Sequence, residues 1–262
     1  MTESLDGLRK FHNWIKSRLI SDAQRKTNGE YLLDIAVGRG GDIMKWTNAR
    51  LKFVTGFDID AKSIYEKNAF DGAIKRYNSV KHLPNVPRCY FWKISATDPF
   101  VLNLINGKDN AKIYDIVSCQ FSFHYFVNDM DITLNLISKK LKTGGYFIGT
   151  SADGDVINSF LAVHGNDFEN EVLKIKRNTD PGMYSFDLKS LKTSRETYFE
   201  YRGVSNEYFL YRDHLIEKCK RHNLELIEIK NFSELYDEYK FNLTRNEQMC
   251  SFLNFSFVFK KV

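Results

Sequence analysis

Cysteine is scarce in this chain of 262 residues: Cys89, Cys119, Cys219 and Cys250 lie far apart, and no Cys-x-x-Cys pair occurs. That spacing excludes a disulfide framework and a thiolate metal cluster, and leaves reduced, packed thiols of an intracellular protein as the expectation. The six histidines also lack metal-ligand spacing. His214 and His222 can share a helix face, but no cysteine or carboxylate completes a set around them, so no metal is expected. No stretch approaches the roughly 18 apolar residues of a membrane span, and the opening Met-Thr-Glu-Ser-Leu-Asp has no secretory character, so no membrane partner is expected. A dominant charge is missing as well. Lysine and arginine number 38 against 33 acids, a net +5 that tilts mildly toward anionic partners without the density of a dedicated nucleic-acid clamp. Runs such as Lys139-Lys140 read as solvated surface. Internal repeats and low-complexity tracts are absent.

What is present is enough apolar material, 43% of residues, to bury one substantial core, so residues 1–262 read as a single domain. Aromatic content is high at 15%, with 21 Phe and 14 Tyr, and part of that surplus suits base stacking. Leu8, Phe11, Ile15 and Leu19 make a helical stripe, predicting an N-terminal helix over about 8–26. The predicted order then runs strand 31–36, helix 41–48, strand 51–58, helix 60–77, strands 89–95 and 113–119, helix 129–141 and strand 145–150. That alternation predicts a parallel sheet with right-handed crossovers. Residues from about 151 to 200 break the rhythm and read as an insertion over the carboxyl edge of the sheet. A helix over 206–222, a strand near 224–230, a polar segment and a strand over 252–259 follow.

The most informative stretch is Asp34-Ile-Ala-Val-Gly-Arg-Gly-Gly-Asp42, where the strand of Tyr31, Leu32 and Leu33 enters a glycine-rich turn. Gly38, Gly40 and Gly41 permit tight reversal and close approach of backbone to a ligand. Some twenty residues on, Asp58 ends a second strand, where an acid can accept from both hydroxyls of a ribose. With Ala36 in first place, the turn fits a dinucleotide fingerprint and a methyltransferase loop equally well. The two late strands after one long helix favour the antiparallel ending of a seven-stranded methyltransferase sheet over a second mononucleotide half. Ligands bind outside the carboxyl ends of such strands, which selects the loops at Gly38–Asp42, Asp58, Thr97-Asp98, Gln120–Tyr125 and Ser151 onward. Asp98 can accept from an adenine amine or cap a helix beginning at Pro99; both readings stand.

Four segments together resemble the messenger RNA cap guanine-N7 methyltransferase family. They are Phe11-His-Asn-Trp-Ile-Lys16-Ser, the glycine turn, Ser118-Cys-Gln120-Phe-Ser-Phe-His124-Tyr125, and Gly144-Gly-Tyr-Phe-Ile-Gly-Thr150. The resemblance implies a Rossmann-like class I methyltransferase fold in the α/β class, with a seven-stranded, mostly parallel sheet, an antiparallel edge and helices on both faces. It also implies methyl transfer from S-adenosylmethionine to the guanine capping a transcript. Lys16, Ala36, Gly38, Asp42, Asp58, Asp98, Gln120 and Tyr125 would then hold the donor, with Lys16 on its carboxylate by charge-assisted bonding.

By the same resemblance Asn13, Arg39, Phe121, His124, Tyr125, Phe186, Glu207 and Asn254 would line the cap site. Glu207 and Tyr125 would position the guanine. A carboxylate at Glu207 can accept from the guanine N1 and N2 hydrogens together; its plainer reading is a cap for the 206–222 helix. No acid or base is needed, because N7 carries a free lone pair. Two departures from the family pattern stand out. Ala36 replaces the first glycine of the usual Gly-Cys-Gly-Lys-Gly-Gly, and Asn254 falls at or near a family tyrosine. The implied partners are 5′-capped RNA and, since family members commonly have an upstream tail or domain, other capping-enzyme domains or a stimulatory subunit. Asn, Lys, Ile, Phe and Tyr richness points to an AT-rich genome, a virus among the options, so cytoplasm, nucleus, viral factory and virion all stay open as compartments. Two rival readings remain: a non-catalytic RNA-binding or stimulatory capping subunit of the same fold, and a nicotinamide-dependent oxidoreductase supported only by Ala36-x-Gly38-x-x-Gly41.

Overall fold

A computed structural model of the protein describes residues 5–67, 71–189, 204–240 and 242–262. The stripe of Leu8, Phe11, Ile15 and Leu19 forms one face of α1 (Asp6–Thr27), which ends with Asn28 in the left-handed region after basic Arg25 and Lys26. The chain continues through β1 (Tyr31–Ile35), α2 (Ile43–Asn48), β2 (Phe53–Asp58), α3 (Ala61–Tyr65), α4 (Ala73–Val80), β3 (Arg88–Lys93), α5 (Val101–Asp109) and β4 (Tyr114–Gln120). A tight helical turn over Phe123–Asp129 leads into α6 (Met130–Lys140) and β5 (Leu141–Ala152). Next come α7 (Gly154–His164), β6 (Asp167–Glu169), β7 (Leu173–Arg177), β8 (Met183–Leu188), β9 (Ser205–Tyr208) and α8 (Arg212–Arg221). The chain closes with β10 (Leu224–Asn231), α9 (Phe232–Tyr236), α10 (Arg245–Ser251) and β11 (Asn254–Lys261).

The main sheet has seven strands in the order β10-β11-β5-β4-β1-β2-β3. Only β11 runs against its neighbours, pairing antiparallel with both β10 and β5, so the late hairpin makes the antiparallel edge that the sequence predicts. Strand alternation divides the core in two. Leu33, Val117, Phe147 and Phe257 face a cluster with α5, α6 and α8; their neighbours Leu32, Ile116, Ile148 and Val258 face a second cluster with α1, α2 and α9. The strand order reverses between β1 and β4, which puts the ligand crevice at their carboxyl ends.

Two predicted helices are corrected. The expected helix over 60–77 is two pieces, α3 and α4. Glu66 leaves the helix in an extended conformation at ψ 138°, and Gly72 then packs so closely that a Cβ there would lie 2.8 Å from the backbone of Ile64 and Glu66, its amide donating to Glu66 at 2.9 Å. The expected helix over 206–222 begins only at Arg212, because residues 205–208 pair as β9 with β8. Cross-strand pairing there overrides local helical pattern.

The expected insertion is a second, four-stranded antiparallel sheet, β6-β7-β8-β9, with its own apolar cluster shared with α7. Its stretch from 190 to 200 lies outside the described residues. The polar segment before the last strand holds α9 and α10, each opened by a reciprocal capping box, Asn231 with Glu234 and Thr244 with Glu247. Among the described residues no helix is long and apolar enough to cross a membrane.

Candidate active site

The glycine turn leaves β1 in an unusual conformation. Ala36, Gly38 and Gly40 all have positive φ, at 56°, 53° and 70°. For Ala36 that costs about 1–2 kcal/mol, at the position where the family pattern has glycine. The Gly38 amide donates to Asp58 Oδ2 at 2.9 Å, and the Asp60 amide to Asp58 Oδ1 at 2.8 Å. Asp58 thus braces the turn from the neighbouring strand while retaining lone pairs for a ligand. A Cβ on Gly38 or Gly41 would meet no atom within 4 Å, so the turn opens onto a cradle. The helix after it, α2, has six residues, shorter than the predicted 41–48.

Asp42 is buried with its Oδ1 2.7 Å from both Lys16 and Lys45 Nζ. Burial alone would raise its carboxyl, but Lys16 and then Lys45 outweigh that and hold it at about 2. Lys16 and Asp42, both expected at the donor, are therefore bonded to each other. Behind them is a further acid, outside the set expected at the donor. Asp34 is buried, and its Oδ1 has no hydrogen-bond partner among the described residues. Burial first and Asp42 next push its carboxyl up to about 8. Its signal was its place, the last polar residue of β1 before the turn.

At the end of β4, Gln120 is fixed by donating to Ser118 Oγ at 3.2 Å and accepting from Thr150 Oγ1 at 3.1 Å. Phe121 follows in the left-handed region at φ 54°, its amide held by the Thr150 carbonyl at 2.8 Å. Its ring stacks on His12 with centroids 5.0 Å apart. His12 in turn sits 2.8 Å from Ser251 Oγ, and burial lowers its imidazole to about 3, so it stays neutral. Asp98 Oδ1 accepts from the Phe100 amide at 2.8 Å, and α5 starts at Val101 without a side-chain cap. The acid therefore closes a turn, not a helix beginning at Pro99. Ile59 and Phe100, beside the two acids Asp58 and Asp98, are 67% and 68% exposed.

The second sheet brings Glu207 to this crevice. It stands on β9 opposite Tyr184, which excludes the helix-cap reading. Tyr184 Oη donates to Oε2 at 2.6 Å; Ser205 Oγ and Tyr125 Oη donate to Oε1 at 2.7 and 3.2 Å. Burial first, then Glu207, raises both tyrosine hydroxyls, so they remain donors. The Ala152 amide points at His124 Nδ1 from 3.4 Å and Ser151 Oγ lies 3.0 Å from the same nitrogen. That assigns the proton to Nε2, 3.5 Å from Glu207 Oε2. Burial lowers the His124 imidazole, which keeps it neutral.

Tyr125, His124 and Glu207 are thus brought together as expected, and Tyr184, which the motifs did not single out, joins Tyr125 in bonding Glu207. Phe186 lies two residues on along the same strand face, packed on the cluster under the second sheet. Strand periodicity within Met183-Tyr-Ser-Phe-Asp was the available signal. Asn254 opens β11 and donates to the Cys250 and Ser251 carbonyls at 3.4 and 3.0 Å. Arg39 is buried at 8% exposure, and Asn13 is half-buried on α1.

A sheet of this order, with a glycine turn after β1 and acids ending β1 and β2, defines the class I methyltransferase fold. Among solved structures the chain resembles an S-adenosylmethionine-dependent methyltransferase from Clostridium acetobutylicum, with TM-score 0.59, 14% identity, and 96% of this chain and 92% of that one covered. The CcbJ methyltransferase from Streptomyces caelestis is similar too, with TM-score 0.59, 13% identity, and coverage of 94% and 89%.

The chain belongs to the mRNA (guanine-N(7))-methyltransferase domain family, which matches residues 4–254. It is 34% identical to an Acanthamoeba polyphaga mimivirus protein named "Probable mRNA-capping enzyme", covering 94% of this chain and 23% of that protein. It is 30% identical to the mRNA cap guanine-N(7) methyltransferase of Drosophila melanogaster, covering 88% and 56%. The chain thus spans less than two thirds of the length of these relatives. Fold and family together imply S-adenosylmethionine as methyl donor.

Proposed function

We propose that this protein methylates N7 of the guanine at the 5′ end of capped RNA. The observation that carries the reading is Glu207: a buried carboxylate surrounded by neutral donors, at the mouth of a crevice whose other wall is the glycine turn. Such a group discriminates guanine, whose N1 and N2 hydrogens it accepts. Adenine would turn the lone pair of its N1 toward the carboxylate and leave the remaining acceptor sites of Glu207 unused, a loss that reaches roughly 10⁴-fold.

The residues present fit the donor. The unpartnered Asp34 Oδ1 suits an α-ammonium, and Lys16, whose charge acts on Asp34, an α-carboxylate. Asp58 suits the ribose, Asp98 the adenine edge, and exposed Ile59 and Phe100 its faces. When bound, S-adenosylmethionine supplies an electrophilic methyl on a sulfonium. The chain's own contribution is positioning, worth up to roughly 7–11 kcal/mol when reacting atoms are held in line. Phe121 and Tyr125 offer aromatic faces to a base that becomes cationic on N7 methylation. His124 holds its proton on Nε2 toward Glu207 and moves none. The mimivirus relative is several times longer, so a working assembly with other capping-enzyme domains is part of this reading.

Incubation with radiolabelled S-adenosylmethionine and GTP, a GpppA dinucleotide or capped RNA tests it. Label at guanine N7 is the expected result. Capped-RNA binding without label in any acceptor would favour the non-catalytic subunit instead.

A further inference from the structure

Beside the proposed site, a groove of about 740 Å³ runs between α1 and α2. Lys10, Asn13, Trp14, Lys45, Asn48 and Tyr239 are among its walls, and no described lining residue is a carboxylate. The other prominent groove, between α1 and the β10-β11 edge, is smaller at about 260 Å³ and mixes Asp22 and Glu228 with Arg18 and Lys26. Lys10 is exposed and makes no ion pair among the described residues. Lys45 shares Asp42 with Lys16, so that trio keeps one net positive charge at the point where groove and donor cradle meet. Trp14 and Tyr239 stand half-exposed with ring centroids 5.5 Å apart.

We propose that this groove holds the first transcribed nucleotides of the RNA, downstream of the cap. Aromatic faces flanked by lysines and amides, free of carboxylates, match single-stranded nucleic acid, whose bases stack while its phosphates take the cations. Continuity argues for the same substrate strand: Asn13 belongs to both the groove and the expected cap set, and Lys45 reaches the cofactor loop. The proposal rests on the methyltransferase reading for the identity of the strand, though not for its presence.

The test compares KM for a GpppA dinucleotide with KM for a capped ten-nucleotide RNA, in the natural protein and in Lys10→Glu, Lys10→Ala and Asn48→Asp. The longer RNA should show a KM lower by roughly 5- to 20-fold, an advantage that Lys10→Glu removes while the dinucleotide KM stays unchanged. Lys10→Ala should reduce the slope of log KM against log salt by about 0.7 for the long RNA only. Equal KM values for the two substrates in the natural protein, or equal losses on both in the variants, would overturn the groove and leave the methyltransferase reading standing. If no guanine is methylated at all, that reading fails, and fluorescence anisotropy with a ten-nucleotide 5′-triphosphate RNA still decides the groove. Affinity that is unchanged by Lys10→Glu would show that RNA does not lie there and that the face serves another partner, such as a protein.

Discussion

The two walls of the crevice solve opposite electrostatic problems. On the donor wall, charge is abundant and paired: Asp42 with Lys16 and Lys45, Asp58 with backbone amides, and Asp34 buried behind them. On the acceptor wall the buried acid Glu207 is bonded, among the described residues, by hydroxyls and faced by a neutral histidine. On the proposed function, a zwitterionic, cationic donor would be held by opposite charges, and a neutral base would be recognised by a carboxylate whose surroundings donate without neutralising it. Their assembly differs too. The donor wall uses consecutive strand ends of one sheet, whereas the acceptor wall joins that sheet to a second one.

The contrast breaks first at Glu207. Glu207→Ala should lower turnover on capped RNA by up to roughly 10⁴-fold with donor affinity by calorimetry intact; unchanged turnover would remove guanine recognition from this wall. Asp58→Ala should reverse the pattern, abolishing measurable donor binding, because it loses a ligand contact and the brace on Gly38 together; truncation of such a bonded charge costs roughly 2–5 kcal/mol.

The two buried acids sharpen the comparison through pH. The Asp42 carboxyl is depressed to about 2, so its stabilising contribution is present above its ordinary value near 3.8 and is lost as pH falls through about 2. Chemical denaturation between pH 5 and pH 2 should show a loss of about 2 kcal/mol that is missing in Asp42→Asn. Asp34 carries the opposite sign. With its carboxyl raised to about 8, it favours the fold when protonated, and stability without donor should decline as pH rises from near 4 toward 8. Asp34→Asn should flatten that decline, and an unchanged slope would show that Asp34 is not the acid responsible. The smallest effect expected is at Ala36. Ala36→Gly relieves the positive φ and should raise stability by about 0.5–1 kcal/mol, after allowing for the entropy that glycine adds to the unfolded chain.

Particular elements show which signals were readable. The α1 stripe, the β1 turn, Asp58 and the Phe121–Tyr125 loop could be placed in advance, because each is a contiguous pattern with one dominant period or a glycine requirement. The helix allowed from Pro99 starts two residues later as α5, while α7 within the insertion is not legible from local pattern, being a short helix bounded by Gly154 and Gly165. The periodicity over 60–77 is continuous, yet the chain leaves the helix at Glu66 and folds Gly72 back against Ile64, a close approach set by packing in the folded chain. Residues 206–208 read locally as helix because the strand character of β9 comes from β8, outside the window of local pattern.

By itself, then, the sequence determined the class of sheet, the place of the donor turn and the acids at the strand ends, because these depend on spacing within segments of a few to some twenty residues. Only the tertiary structure decided that Lys16 answers Asp42, that Asp34 is buried with its Oδ1 unpartnered among the described residues, and that Tyr184, Tyr125 and Ser205 converge on Glu207. Those contacts join residues that are remote along the chain or whose orientation is set by sheet pairing, and burial, which sets their charge state, exists only once the two sheets have closed over the crevice.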